Sequence, residues 1–269
     1  MAGGRGTQED VDSVGMSARK LPSPVVSLFK SRGARIVACR DSVTDFETSL
    51  RGVTPRGWEG LGRTWDSVPG TYLDGRKSVV IATVAAGGAR TVPPRGPNSH
   101  GSFDLVLHES MHGFDYLGSH RVLQNPRFVS ARTADWANLG GYERQEGRAG
   151  LEETYAESAS RFFGNDASLA ASWPNLRAFW LSAFDEGPEE ELVSLPPEEA
   201  GGAIGTFHVE SDRSIALDLR AEGPDGAVGH AVLTYRPDDP LHARLAKHLA
   251  ERGEAQGSEN LFYPLETTE

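Results

Sequence analysis

The stretch VLHESMHGFD, Val106 to Asp115, sets His108 and His112 four residues apart with Glu109 beside the first. On a helix, side chains at i and i+4 point the same way, about 6 Å apart, which suits two imidazoles on one metal ion. A catalytic zinc needs a third protein ligand and keeps one position open for water. A glutamate next to the first ligand can take the proton of that water as it attacks a carbonyl. In a chain of 269 residues with eight histidines, types and spacing point to metal-assisted hydrolysis.

The third ligand must come from elsewhere. Asp115 is near in sequence, but the helix carries it about a turn away from the midpoint of the two histidines. It is better placed to orient a ligand histidine than to bind the metal. An extended H-E-x-x-H-x-x-G-x-x-H site is excluded, because position 115 is Asp and His120 does not fit the spacing. Glu153, in LEETYAESASRFF, is the favoured ligand, with Glu157 one turn on and on the same face. One carboxylate would then hold the metal and the other support a ligand histidine. The competing reading for each is an ordinary solvated helix glutamate. Cys39 is the single cysteine and lies in the strand-like run RIVAC, so it reads as a small buried residue. With no second cysteine, a metal must be held by His, Asp and Glu.

Several elements would position these groups. The residues from Phe103 to Leu117 form an amphipathic helix, with Ser102 able to cap it and Gly118 to end it. Phe103, Val106, Leu107, Met111, Phe114 and Leu117 fall in one apolar stripe, and His108, His112 and Asp115 lie off it. A second helix spans about 151–163, with Leu151, Tyr155 and Phe162 on one side and Glu153, Glu157 and Ser160 on the other. A third follows Pro174 and places Leu176, Phe179, Trp180, Ala183 and Phe184 at core spacing. Upstream, a helix from Ser23 to Gly33 precedes the strand ARIVAC, and Asp74-Gly75 between two extended runs predicts a hairpin with positive φ at both turn residues.

The fold class expected is α+β. Residues 1–21, rich in Gly, Ser and charge, read as disordered, and 185–202 as an acidic Pro/Gly-rich linker. Residues 203–269 read as a small separate α+β unit of unknown role, with a Pro-Asp-Gly turn between strands and a closing helix. Its histidines, His208, His230, His242 and His248, show no ligand spacing and read as surface or core. A net charge of −11 supplies no basic stripe, which argues against nucleic acid as a partner. The longest apolar run, Val79 to Ala86, is far too short for a membrane span. No Sec-type leader is visible in MAGGRGTQED.

HESMHGFD followed about forty residues later by EETYAESASRFF resembles the catalytic domain of anthrax toxin lethal factor and the related Pro-Pro endopeptidases. The likeness covers about residues 22–184. It implies a zincin-like metallopeptidase domain, a small sheet with the H-E-x-x-H helix and a glutamate helix. It further implies one zinc ion held by His108, His112 and Glu153, with Glu109 as general base. The family places an oxyanion-stabilising tyrosine in the loop before the glutamate helix. Tyr142 is the residue that corresponds, several positions further from Glu153 than the family pattern has it, while Tyr155 lies on the other face of its helix. The expected function is a gluzincin-type peptidase acting on a protein or peptide, secreted or delivered to another cell as a toxin effector by a non-Sec route, with residues 203–269 free to engage a partner protein. The alternatives are a non-catalytic binding module on the same fold and a zinc amidase acting on non-protein or cell-wall material.

Overall fold

The computed structural model describes residues 1–185, 191–196, 202–251 and 260–265. The strands are β1 (Ala2–Gly3), β2 (Arg35–Arg40), β3 (Gly70–Leu73), β4 (Ser78–Ala86), β5 (Ala89–Thr91), β6 (Gly205–Val209), β7 (Ile215–Glu222), β8 (Ala227–Tyr235) and β9 (Asn260–Phe262). The helices are α1 (Gln8–Ala18), α2 (Ser23–Arg32), α3 (Leu105–Leu117), α4 (Pro126–Asp135), α5 (Gly147–Phe163), α6 (Leu169–Ser172), α7 (Pro174–Leu181) and α8 (His242–Glu251).

Among the described residues the strands form one mixed sheet, in the order β1-β2-β4-β3-β8-β7-β6-β9, with β5 paired to β4. The β1–β2 and β2–β4 pairs are parallel and the rest antiparallel. Strand periodicity divides the interior in two. Tyr72, Val79 and Ile81 face α2, α3, α5 and α7, in one core with Phe29, Met111, Tyr155 and Trp180. Val80, Ala82, Leu217 and Leu219 face the other way, onto Trp58, Trp65 and the α8 residues Leu245 and Leu249. Cys39 belongs to that second core, and burial pushes its thiol up to about 12.

The helix carrying the two histidines packs directly on β3. A methyl group on Gly113 would meet Tyr72 at 3.0 Å, and one on Gly70 would meet Leu105 at 2.8 Å and Glu109 at 3.0 Å. Two positions without side chains thus let helix and strand approach where Glu109 sits. Asp104 caps α3, its carboxylate accepting from the Leu107 N–H, and Gly118 ends it. Ser102 is not the cap, because its hydroxyl meets His230. Phe103 lies before the helix and is exposed rather than part of the buried stripe. The polar face of α3 is buried as fully as the apolar one, since α5 closes over it.

Three expectations are corrected. Residues 1–21 are structured rather than disordered: β1 adds to β2, and Asp10 of α1 lies buried against Thr83 and Arg90. The hairpin β3–β4 exists, but its turn is a 3-10 turn at Asp74–Arg76, with positive φ at Lys77 instead of Asp74-Gly75. Four residues separate the last paired positions, Leu73 and Ser78, and a loop of that length is built around a type I-like turn. The strands of 203–269 are not a separate unit, because β8 pairs with β3 from Gly70–His230 to Leu73–Ala227 and carries the sheet onward. Of the acidic segment 185–202, residues 186–190 and 197–201 lie outside the described residues.

Asp10 and Arg90 are both buried and bonded at 2.9 Å. Burial would raise the Asp10 carboxyl, but hydrogen bonds from Thr83, Thr7 and Arg90 hold it well below the usual range. Its contribution to stability is therefore full above the unfolded aspartate value of about 3.9 and is lost as pH falls. Asp10→Ala is expected to cost about 3 kcal/mol in urea unfolding at neutral pH, because among the described residues the Arg90 guanidinium then keeps only the exposed Asp41 as a carboxylate partner. The deficit against the unmutated chain should shrink in acid.

Candidate active site

α3 and α5 meet at one carboxylate oxygen. Glu153 Oε2 lies 3.2 Å from His108 Nε2 and 3.6 Å from His112 Nε2, and the two ring nitrogens are 3.2 Å apart. All three residues are buried, and they form a group whose donor atoms could hold a metal ion. Two imidazole nitrogens facing one another at this distance need a hydrogen or a metal ion between them. Burial opposes a charged ring, yet the neighbouring carboxylates of Glu153 and Glu157 push His108 up to about 10. Burial likewise opposes the Glu153 carboxylate, and His112, His108 and Arg220 hold it far below its ordinary range.

Glu157 stands one turn beyond Glu153 and does two jobs. Its Oε2 lies 3.3 Å from His108 Nδ1, and both of its oxygens accept from the Phe103 N–H, at 3.0 and 3.2 Å. Ser160 takes the Asp104 N–H at 2.9 Å. The polar face of α5 therefore orients a histidine and also ties down the start of α3. Glu109 is wholly buried, and neither of its oxygens has a hydrogen-bond partner. Burial pushes its carboxyl above the usual range, with the imidazoles of His108 and His112 pulling the other way.

Tyr142 sits in the loop before α5, whose carbonyls are held by Arg132, Gln145 and Thr154. Its ring stacks on His230, centroids 4.8 Å apart, and its buried hydroxyl is unpartnered. That hydroxyl is within electrostatic reach of Glu153 and Glu109, and burial keeps it protonated far above its ordinary range. A cleft of about 500 Å³ opens beside it, lined by His108, Tyr142, Glu157, His230, Phe103 and Trp173 among others.

Asp115 does not orient a ligand histidine. It pairs instead with His120, whose other nitrogen takes a bond from Arg148 at 2.6 Å, because the turn after α3 folds His120 back over it. The residues that sequence reasoning missed are Asp218, Arg220 and His230. Arg220 Nη1 donates to Glu153 Oε1 at 2.5 Å, and its other nitrogens reach Glu152 and Glu222. His230 is bonded to Asp218 and to Ser102, 5.7 Å from His108 between ring centroids. A signal was present: Asp218, Arg220 and Glu222 alternate with Leu217, Leu219 and Ala221, which are all in the second core. A strand with one apolar and one charged face, in a sheet covered on both sides, aims charge at something buried.

A buried His-His-Glu centre beside an unpartnered glutamate defines a hydrolytic class of site. The chain is 31% identical over 173 residues to a Pro-Pro endopeptidase of Paenibacillus alvei, covering 61% of this chain and 73% of that protein. It is 30% identical over 161 residues to a Pro-Pro endopeptidase of Clostridioides difficile, covering 57% and 66%. The solved structure of the Paenibacillus alvei Pro-Pro endopeptidase shares the fold, with a TM-score of 0.54 at 24% identity over 68% of this chain and 96% of that one. No family model matches. This chain belongs to the Pro-Pro endopeptidase family and is a peptidase, with peptides as its substrates. No helix among the described residues is long and apolar enough to cross a membrane.

Asp115→Asn is expected to leave bound metal per chain, read by elemental analysis after dialysis, equal to that of the unmutated protein. A clear loss of metal would restore Asp115 to the support of the histidines.

Proposed function

We propose that this peptidase is a zinc-dependent endopeptidase of the gluzincin type with a zincin-like catalytic fold, and that it cleaves at Pro-Pro sequences as the names of its relatives indicate. The observation that carries the zinc assignment is the spacing of three donor atoms, 3.2, 3.2 and 3.6 Å. Tetrahedral zinc, with bonds of about 2.0–2.2 Å, sets neighbouring donors about 3.3 Å apart. Two imidazoles and one carboxylate also form a ligand set that catalytic zinc uses. The orphaned oxygen Glu153 Oε2, buried without a hydrogen-bond donor, supports the same reading.

When bound, zinc polarises the scissile carbonyl and lowers the pKa of a water molecule to about 7. The chain's own groups do the rest. Glu109 accepts the proton of the attacking water on its carboxylate and delivers it to the leaving amine as the carbon–nitrogen bond breaks. A base whose pKa is raised by burial accepts that proton more readily than an exposed glutamate would. Tyr142, kept protonated, donates its hydroxyl to the carbonyl oxygen as negative charge develops there. Glu157 accepts from His108 Nδ1 and so leaves the Nε2 lone pair for the metal ion that His108, His112 and Glu153 would hold.

Elemental analysis of dialysed protein should find one zinc per chain, and clearly less for Glu153→Ala. Glu109→Gln should keep the zinc and lose cleavage of a quenched-fluorescent peptide containing Pro-Pro. Tyr142→Phe should lower kcat about a hundredfold with little change in zinc. A Glu109→Gln protein that cleaves at the normal rate, or an unmutated chain that holds no zinc, would defeat the proposal.

A further inference from the structure

We propose that Arg220 is a positioning residue that reserves one oxygen of Glu153, so that this carboxylate presents a single donor atom to the metal. The inference rests on the zinc reading above.

A glutamate on zinc can bind through one oxygen or both, and the second oxygen competes for the position that water needs. Here the two oxygens have different partners. Oε2 faces His108 and His112 with no hydrogen-bond donor, while Oε1 accepts from Arg220 Nη1 at 2.5 Å. The same guanidinium holds Glu152 through Nη2 and Glu222 through Nε, the latter at 2.7 Å. Three contacts from a rigid planar fork leave it no free rotation.

The backbone beneath is fixed as firmly. Trp58 Nε1 donates to the Arg220 carbonyl at 2.9 Å, and across the strand pair Arg220 lies opposite His230, the residue on which Tyr142 stacks. β8 in turn pairs with β3, which runs against Glu109. Arg220 and its strand therefore join the base, the tyrosine and the ligand carboxylate in one rigid assembly.

Electrostatics separates this role from a gain in metal affinity. A buried positive charge beside the site repels a divalent cation, so Arg220 works against binding while it restrains Glu153. Removing it should leave the metal in place and change the coordination. Lysine, a point charge on a flexible stem, lacks the planar fork that makes these three contacts at once and does not hold Glu153 Oε1 in one fixed direction.

The test compares the unmutated chain, Arg220→Met, Arg220→Lys and Glu152→Gln, each loaded with cobalt(II) in place of zinc. Metal per chain, visible absorption, and kcat and KM on a Pro-Pro peptide (zinc-loaded) are read together. Arg220→Met should keep one metal per chain, show the weaker absorption of a more than four-coordinate ion, and lose about 10–100-fold in kcat. Its KM should stay within about twofold, because substrate binding is untouched. Arg220→Lys should fall between, as should Glu152→Gln, which weakens one of the three contacts that fix the fork. If Arg220→Met does not unfold cooperatively, Arg220→Lys alone decides, and an unchanged spectrum in it overturns the proposal. Unchanged spectrum and kcat in folded Arg220→Met overturn it while leaving the zinc reading intact, as does loss of metal from that variant. An unmutated chain without metal overturns both.

Discussion

The site depends on one buried carboxylate. Glu153 has no access to solvent, so its charge must be balanced by the protein on every side. It is balanced twice over. One oxygen turns to two imidazoles on α3, the other to a guanidinium on β7. Each requirement recruits a different part of the chain, and together they dictate that α3, α5 and the far half of the sheet converge on one point. A fold that failed to bring them together would leave an uncompensated charge in its interior, which is among the more costly defects a protein can carry.

The segment beyond residue 203 follows from this constraint. Its strands continue the sheet through β3 and deliver Arg220, Asp218 and His230 to the face where α3 and α5 lie. The opposite face of the same strands fills the second core with Leu217, Leu219 and Leu233. A single strand thus stabilises the fold with one set of side chains and sets the chemistry with the other.

Much of the site was legible in the residues themselves. The His108–Glu109–His112 spacing reads directly as one face of a helix, and the Glu153–Glu157 spacing as another, because i to i+4 proximity is a local property of helical geometry. The apolar residues of α3 and α5 and their closing glycines, Gly118 and Gly164, also follow from local pattern. Asp115 and Ser102 depart from their local reading for a shared reason. Spacing alone gives each a partner within α3, and the fold gives each another: His120 in the turn that folds back after α3, and His230 on a distant strand.

By itself, then, the sequence determined which residues could serve as ligands and base, which helices carry them, and which faces those helices bury. These are matters of spacing within a few turns. Only the tertiary structure decided that Glu153 Oε2 lies within 3.6 Å of both histidines, that Tyr142 rests on His230, and that Arg220 closes the centre from 67 residues away. Those distances depend on the register of β8 on β3 and the packing of two helices. Both are settled by the burial of side chains contributed from the whole length of the chain, which no local pattern encodes.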